Sequence, residues 1–107
     1  MNTERKIVTL CGSTRFKEEF FKVTSRLQFE ERKIVLLPLE FSHYEDKKLD
    51  NKDMELLDDI HKSKIDMSDS VFIIDVKGYV GESTKKEIEY AKGKGKEVRY
   101  YSREAMD

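Results

Sequence analysis

The sequence predicts an α/β fold in which about four parallel strands form one sheet, and three observations lead to this prediction. Short blocks rich in Ile, Val, Leu and aromatic residues have the length of strands and are apolar almost throughout. Stretches whose apolar residues recur every three or four positions alternate with these blocks, as amphipathic helices do. Strands that are apolar on both faces are typical of a parallel sheet covered by helices on both sides.

The first part of the chain predicts two strands and one helix. Strand 1 is predicted over residues 7–11, and Gly12 with the two hydroxyl residues after it ends the strand and can cap a helix. The next apolar residues recur at the spacing of one helix face. They are Phe16, Phe20, Val23 and Leu27. Strand 2 is predicted over residues 34–37, and Pro38 closes it.

The rest of the chain continues the alternation after a polar stretch, residues 39–51, that is predicted to be a loop. A second helix is indicated by residues at spacings of 3, 4 and 4, which are Met54, Leu57, His61 and Ile65. Strand 3 is predicted over residues 71–74 and a loop over residues 77–81. A third helix is predicted from about Ser83 to Lys92, followed by strand 4 over residues 98–101 and a tail.

Right-handed crossovers leave few possible orders for such a sheet, and the flavodoxin-like (Rossmann-like) order 2-1-3-4 is the expected one. The resulting three-layer sandwich forms a single domain over residues 1–107, since the composition does not change along the 107 residues. Ligands of open α/β sheets bind beyond the carboxyl ends of the strands, near the switch between strands 1 and 3. A site is therefore expected between the segment after strand 1 and residues 75–87.

Composition excludes several classes of protein. Lys and Arg number 21 and Asp and Glu 22, and a formal charge of −1 lacks the basic surplus of proteins that bind duplex nucleic acid. The longest apolar stretch, residues 34–39, is far too short to cross a bilayer, and the polar first residues do not resemble a signal peptide. A single cysteine, Cys11, suits a reducing compartment. We therefore expect a cytoplasmic protein, and its small core favours a homodimer or larger assembly.

The segment after strand 1 suits a phosphate or another small anion. It consists of Gly12, Ser13, Thr14 and Arg15. The glycine lets a ligand approach the backbone, the hydroxyl groups and helix amides donate hydrogen bonds, and the arginine adds a planar cation. The alternative is an ordinary strand-to-helix turn with a hydroxyl cap and a solvated arginine.

Two other chemistries are disfavoured by spacing. A cysteine phosphatase requires Cys-x5-Arg, but the residue six positions after Cys11 is Lys17, so a buried thiol is expected there. A zinc site is not expected either, because the chain has only His43 and His61 and no cluster of ligands accompanies either histidine in the sequence.

The start of the third helix offers a carboxylate, Glu87, at the ligand edge of the sheet. The helix dipole with Lys85 and Lys86 is expected to keep it ionised at neutral pH, as a carboxylate nucleophile requires. The alternative is a capping box, in which Thr84 caps the helix and Glu87 returns a hydrogen bond. Asp75, at the end of strand 3, also lies where the fold places ligands.

Two stretches resemble a known family. VTLCGSTR (residues 8–15) resembles the first strand and phosphate loop of the 2′-deoxynucleoside 5′-monophosphate N-glycosidases. DSVFIID (residues 69–75), followed by Gly81 and then by EIEYA (residues 87–91), resembles their second half and the wider nucleoside 2-deoxyribosyltransferase superfamily. The likeness covers most of the chain and is weakest over residues 39–58.

The resemblance implies an activity and a set of site residues. In that superfamily the glutamate of the Glu-x-x-Tyr-Ala motif attacks the anomeric carbon, and water or a second base resolves the deoxyribosyl-enzyme ester. The resemblance places this nucleophile on Glu87. The substrate-binding residues expected beside the phosphate loop are Gly81, Glu82 and Ser83.

The sequence thus predicts cleavage of the N-glycosidic bond of a 2′-deoxynucleoside 5′-monophosphate, or of a deoxynucleoside, by hydrolysis or base transfer. A carboxylate near C1′ stabilises the oxocarbenium-like charge before bonding to it. Asp75, Glu82 or a loop residue is expected to protonate the departing base, and Tyr79 and Tyr44 are candidates for stacking on it. This chemistry needs no metal or redox cofactor. The alternative is a non-catalytic nucleotide-binding or sensing module of the same fold.

Overall fold

A computed structural model describes residues 4–38 and 50–104, and within these residues four strands and three α-helices alternate along the chain. The elements are β1 (Ile7–Gly12), α1 (Lys17–Phe29), β2 (Ile34–Leu36), α2 (Asn51–Met67), β3 (Ser70–Ile74), α3 (Glu82–Gly93) and β4 (Glu97–Tyr100). Short 3₁₀ turns follow β3 at Val76–Gly78 and β4 at Tyr101–Arg103. Most of the predicted loop over residues 39–51, with His43 and Tyr44, lies outside the described residues.

The strands form one parallel sheet in the order β2-β1-β3-β4, which confirms the predicted order 2-1-3-4. β1 and β3 form the central pair, whose register runs from Val8 beside Ser70 to Gly12 beside Ile74. Since all four strands run the same way, their carboxyl ends meet at one edge of the sheet. The segments after β1 and β3 therefore lie close together there, as the sequence predicts.

The core consists of two apolar layers, one on each face of the sheet. On one face α1 buries Phe20, Val23 and Leu27 against alternate residues of β1 and β3. On the other face Ile65 of α2 and Ala91 of α3 pack against those residues of β1 and β3 whose side chains point away from α1. Each large apolar side chain that is fully buried in this way stabilises the fold by about 1.5–3 kcal/mol. Both faces of the central strands are covered, which is why their sequences are apolar throughout.

Helix α2 begins earlier than its apolar residues suggest, because a reciprocal cap fixes its first turn. The Asp53 N–H donates to Oδ1 of Asp50 over 2.8 Å, and the Asp50 N–H donates to Oδ2 of Asp53 over 3.2 Å. The helix therefore begins at Asn51, within the predicted loop. None of the helices in the described residues combines the length and the apolar character that a membrane span requires.

The last turns of α2 are fixed to the sheet by polar contacts. The Lys64 ammonium donates to the carbonyl oxygens of Leu37 over 2.7 Å and of Pro38 over 3.0 Å, just after β2. The carbonyl oxygen of Lys64 accepts from the Thr9 hydroxyl of β1 over 3.1 Å and from the Ser68 hydroxyl over 2.8 Å. These contacts join α2 to both β1 and the end of β2.

β1 ends at a glycine because the backbone of β3 passes too close for a side chain. Gly12 has φ +149°, and a Cβ atom there would lie 2.9 Å from the carbonyl oxygen of Ile74 and 3.0 Å from its Cβ. Both the backbone conformation and the space favour glycine at this position.

We expect Gly12→Ala to lower the free energy of unfolding more than Gly78→Ala does, measured by urea denaturation. Gly78 also has a positive φ, +82°, but no atom lies within 4 Å of its Cβ position, so it reports the backbone term alone. That term costs about 1–2 kcal/mol. Overpacking against Ile74 should add about 1–3 kcal/mol for Gly12→Ala. Equal losses in the two variants would show that the contact with Ile74 relaxes without cost.

Candidate functional site

A cavity of about 690 Å³ lies beyond the carboxyl ends of β1 and β3. Its walls are the segment after β1, residues of α2, and the first two turns of α3. Small-molecule sites typically measure about 300–1,000 Å³, so the cavity has the size of a ligand site. It lies where the strand order predicts one.

Most of the predicted site residues line this cavity. They are Gly12, Ser13, Thr14, Gly81, Glu82, Ser83 and Glu87. Tyr79, a predicted stacking residue, lines it as well. Arg15 and Asp75 do not belong to the lining.

The buried carboxyl group of Asp75 is held by the turn after β4. The Ser102 N–H donates to Oδ1 of Asp75 over 2.8 Å, and the Ser102 hydroxyl donates to Oδ2 over 2.6 Å. Both carboxylate oxygens are therefore engaged away from the cavity lining. The structure gives Asp75 the role of fastening the turn at Tyr101–Arg103 to the end of β3.

Arg15 is exposed and stacks on an aromatic residue of the cavity wall. Its guanidinium carbon lies 4.1 Å from the ring centroid of Tyr79 and 4.9 Å from that of Phe16. The two rings meet edge to face with centroids 6.1 Å apart. Stacking engages the face of a guanidinium, so its N–H donors remain directed outward in the plane of the group, where they can meet an anion.

The segment after β1 does not cap α1 with a side chain, contrary to the simple-turn interpretation. The N-cap residue is Phe16, and no side-chain hydrogen bond caps the helix. Ser13 Oγ instead accepts from the N–H of Arg15 over 3.4 Å, within the turn. Ser13 and Thr14 therefore line the cavity and do not cap the first turn of the helix.

Glu87 lies in the second turn of α3 and does not belong to a capping box. The helix begins at Glu82 with Gly81 as N-cap, and no side chain caps it. Thr84 is the third helical residue and is buried. The capping-box interpretation is therefore wrong, and the Glu87 carboxyl group points to the cavity wall instead.

The residues that follow Glu87 in the EIEYA segment fasten α3 to its neighbours. The Tyr90 hydroxyl donates to Oδ1 of Asp66 on α2 over 2.8 Å. Ala91 is fully buried against the sheet, where a larger side chain would not fit the layer. The Tyr-Ala pair thus positions the helix turn that carries Glu87.

Three elements bring Cys11, His61 and Glu87 together, a group that we call the Cys-His-Glu cluster. His61 Nε2 lies 3.3 Å from Cys11 Sγ and 3.6 Å from Glu87 Oε1. The three possible ligand atoms all lie within 4.8 Å of one another. The sequence prediction that no ligand cluster accompanies His61 is wrong. The sequence signal that pointed to a buried His61 was its position among the regularly spaced apolar residues of the second predicted helix.

Burial changes the ionisation of Glu87. Its side chain is 14% exposed, and desolvation is the main cause that raises its pKa to about 7; the charge of Asp58 acts in the same direction. A hydrogen bond with Cys11 and the charge of Lys62 oppose the rise. The prediction that Glu87 stays fully ionised at neutral pH is therefore wrong. It changes protonation near neutrality, and such shifted pKa values are common at functional sites.

Burial also keeps the other two members of the cluster neutral. Desolvation, aided by the charge of Lys64, lowers the pKa of His61 to about 4. Desolvation together with Glu87 raises the pKa of the Cys11 thiol well above its usual value. His61 is thus neutral near pH 7, and its contact with Glu87 is not an ion pair. Among the described residues, Nδ1 of His61 has no hydrogen-bond partner.

Comparisons with protein-family profiles, with curated proteins and with solved structures found no match for this chain. The resemblance carried by VTLCGSTR and EIEYA therefore stays a prediction. The function has to be argued from the geometry and chemistry of the cavity.

We expect Glu87→Gln to become more stable relative to the wild type as the pH rises from about 4.5 to about 7. The folded protein holds the Glu87 proton up to a pKa of about 7, whereas the unfolded chain releases it near 4.5. The folded state therefore loses stability over this window, on the order of 3 kcal/mol, and glutamine removes that loss. Urea denaturation at a series of pH values measures the difference.

The control is Glu89→Gln, which removes an exposed carboxyl group of the same helix. The difference in free energy of unfolding between Glu89→Gln and the wild type should not increase as the pH rises over this window. His61 acts in the opposite direction, because a pKa lowered from 6.5 to about 4 makes the folded state less stable as the pH falls through that range. Glu87→Gln should therefore show a free energy of unfolding that rises between about pH 4 and 6.5. A pH-independent difference between Glu87→Gln and wild type would contradict the shifted pKa of Glu87.

Proposed function

We propose that the protein cleaves the N-glycosidic bond of a 2′-deoxynucleoside 5′-monophosphate or a deoxynucleoside, with Glu87 as the nucleophile. The observation that supports this best is a largely buried carboxyl group in the wall of a cavity of about 690 Å³ that is also lined by a segment suited to phosphate. Both stretches that carry the resemblance contribute residues to the lining of this cavity. The residues that carry the resemblance thus meet at one cavity.

The segment after β1 supports binding of a phosphate group. Gly12, Ser13 and Thr14 line the cavity, and no side chain caps the N-terminus of α1 behind them. Hydroxyl groups and a close backbone approach are features that bind anions. Arg15 adds a cation at the rim, held over the ring of Tyr79.

Glu87 acts as the nucleophile in its ionised form. As the C1′–N bond breaks, the electron pair goes to the base nitrogen, and the carboxylate stabilises the positive charge that develops on the sugar. An oxygen of Glu87 then bonds to C1′. Water or an acceptor base attacks the same carbon, which restores the carboxylate. The low polarity around the buried carboxyl group strengthens its interaction with the developing charge.

A separate acid must protonate the departing base. Of the two acids that the sequence suggests for this step, Glu82 lines the cavity. Its side chain is 87% exposed and interacts with Lys85 over 3.6 Å. Asp75, the other named acid, has both of its oxygens engaged by Ser102. We therefore assign the proton transfer to Glu82 and not to Asp75.

We expect Glu87→Gln to reduce release of free base by at least about a thousandfold, because the amide keeps the size of the side chain but is not a nucleophile. The assay incubates the protein with a panel of deoxynucleosides and their 5′-monophosphates, with and without an acceptor base. Wild-type activity should rise as the pH increases through about 7, because Glu87 ionises there, and should fall again at a pH at which the acid that protonates the base has lost its proton. Glu89→Gln should retain wild-type activity.

Base release by Glu87→Gln at a near wild-type rate would refute the assignment of Glu87 as the nucleophile. A wild-type protein that binds a monophosphate from the panel tightly and releases no base would instead favour the non-catalytic nucleotide-binding module.

We expect Arg15→Ala to raise the KM for a monophosphate by roughly ten- to a hundredfold and to leave activity on the matching nucleoside nearly unchanged. A charge-assisted contact with the 5′-phosphate is worth about 1.5–3 kcal/mol, and it lies away from the reacting carbon. Steady-state kinetics on each pair of substrates measures the ratio. Equal losses on both would show that Arg15 acts only by stacking on Tyr79 and Phe16.

A further inference from the structure

The Cys-His-Glu cluster has the composition and the dimensions of a metal site. β1, α2 and α3 each contribute one side chain, and each side chain offers one ligand atom. His61 Nε2 lies 3.3 Å from Cys11 Sγ and 3.6 Å from Glu87 Oε1. Elements that are far apart in the sequence thus present three different donors to one point.

These separations match those of ligands around a tetrahedral zinc ion. Bond lengths of about 2.3 Å to sulfur and about 2.0–2.2 Å to nitrogen and oxygen place the sulfur and nitrogen about 3.6 Å apart and the nitrogen and oxygen about 3.4 Å apart. The two observed distances, 3.3 Å and 3.6 Å, differ from these by a few tenths of an ångström, and the sulfur and the carboxylate oxygen lie within 4.8 Å of each other. An ion could therefore bind once the Cys11 sulfur and the Glu87 oxygen are also about 3.6 Å apart.

The donors themselves favour zinc over harder cations. Thiolate and imidazole are preferred by Zn²⁺, and a carboxylate is a common third ligand, whereas Mg²⁺ and Ca²⁺ prefer oxygen. Binding displaces the thiol proton of Cys11 to the solvent, together with the carboxyl proton of Glu87 in molecules that carry it. The two negative charges of thiolate and carboxylate then balance the charge of the ion inside a desolvated site.

We propose that the Cys-His-Glu cluster binds Zn²⁺ through three protein ligands and leaves the fourth position to water or to a ligand in the cavity. His61 and Glu87 line the cavity, and Cys11 lies fully buried beside them, so the ion enters from the cavity side. Three protein ligands with an open position are the pattern of accessible zinc sites.

Within residues 4–38 and 50–104, the ring of His61 lacks the further hydrogen bond that orients most zinc-bound histidines. A zinc-bound histidine usually donates its other ring N–H to a carboxylate or a carbonyl group, and Nδ1 of His61 has no such partner among the described residues. We therefore expect weaker binding than in a structural zinc site, so that the ion exchanges with the medium.

Bound zinc would occupy the carboxylate that the proposed glycosidase uses as its nucleophile. The metal is therefore an inhibitor of that reaction and not a participant in it. This consequence rests on the proposed function, whereas the metal site itself does not.

The test is a titration of tag-free, reduced protein with Co²⁺, followed by displacement with Zn²⁺. We expect one equivalent of Co²⁺ to give the intense visible bands of tetrahedral coordination and a near-ultraviolet thiolate charge-transfer band, both abolished by Zn²⁺. Weak octahedral bands or the absence of the charge-transfer band in the wild type would overturn the proposal. This measurement needs no variant and no substrate.

The variants identify the ligands. Cys11→Ser should lose the charge-transfer band. Glu87→Gln and His61→Gln should each weaken Co²⁺ binding by more than the roughly 10- to 100-fold that is typical when a residue that only hydrogen-bonds to a ligand is replaced. Glu89→Gln is the matched control and should bind as the wild type does. Circular dichroism verifies that each variant is folded. Equal affinity of Glu87→Gln and Glu89→Gln would overturn the assignment.

The inhibition is measured separately on any substrate that the panel identifies. Zn²⁺ should suppress base release over the same concentration range in which it displaces Co²⁺. If the protein releases no base, the proposed function fails, while the cobalt titration still decides the metal site. If base release continues with zinc bound, Glu87 is either not the nucleophile or not a ligand, and the Glu87→Gln titration distinguishes the two.

Discussion

β1 and β3 are buried on both faces, and they pair in a register that places Cys11 beside Ile73 and Gly12 beside Ile74. Side chains of a strand alternate between the two faces of the sheet, so a slip of one residue would exchange the faces of every residue. Cys11 would then leave the layer that it shares with α2 and α3 and would lie under α1. The register of this central pair therefore determines which residues can reach the cavity at all.

The same burial that stabilises the sheet controls the charges at the site. Desolvation acts on the carboxyl group of Glu87 and on the imidazole of His61 in opposite senses, since it disfavours the anion of one and the cation of the other. The cluster accordingly carries at most the partial negative charge of Glu87 near pH 7, whereas the guanidinium of Arg15 lies over Tyr79, a residue of the cavity lining. An anionic ligand would therefore be oriented with its charge away from Glu87.

The fold was predictable from the sequence because its signals are local: runs of apolar residues for strands, and helical spacing for helices. The cluster was not, since Cys11, His61 and Glu87 are distant in the sequence and meet only through packing. The contact of Asp75 with Ser102 was missed for the same reason, because Ser102 lies in what the sequence presents as a tail. The ionisation of Glu87 could not be predicted either, as neighbouring lysines are visible in a sequence but desolvation is not.

The contacts of Lys64 bear on how the cavity receives a ligand. This residue joins the last turns of α2 to β1 and to the end of β2, and His61 precedes it by less than one helical turn. The imidazole is thus preorganised, whereas most residues in the first turns of α2 are exposed to solvent. A ligand that meets an already ordered group loses less conformational entropy on binding. The solvent-exposed first half of α2 would then be the part that moves to accommodate ligands of different size. The imidazole of His61, farther along the helix, would keep its position.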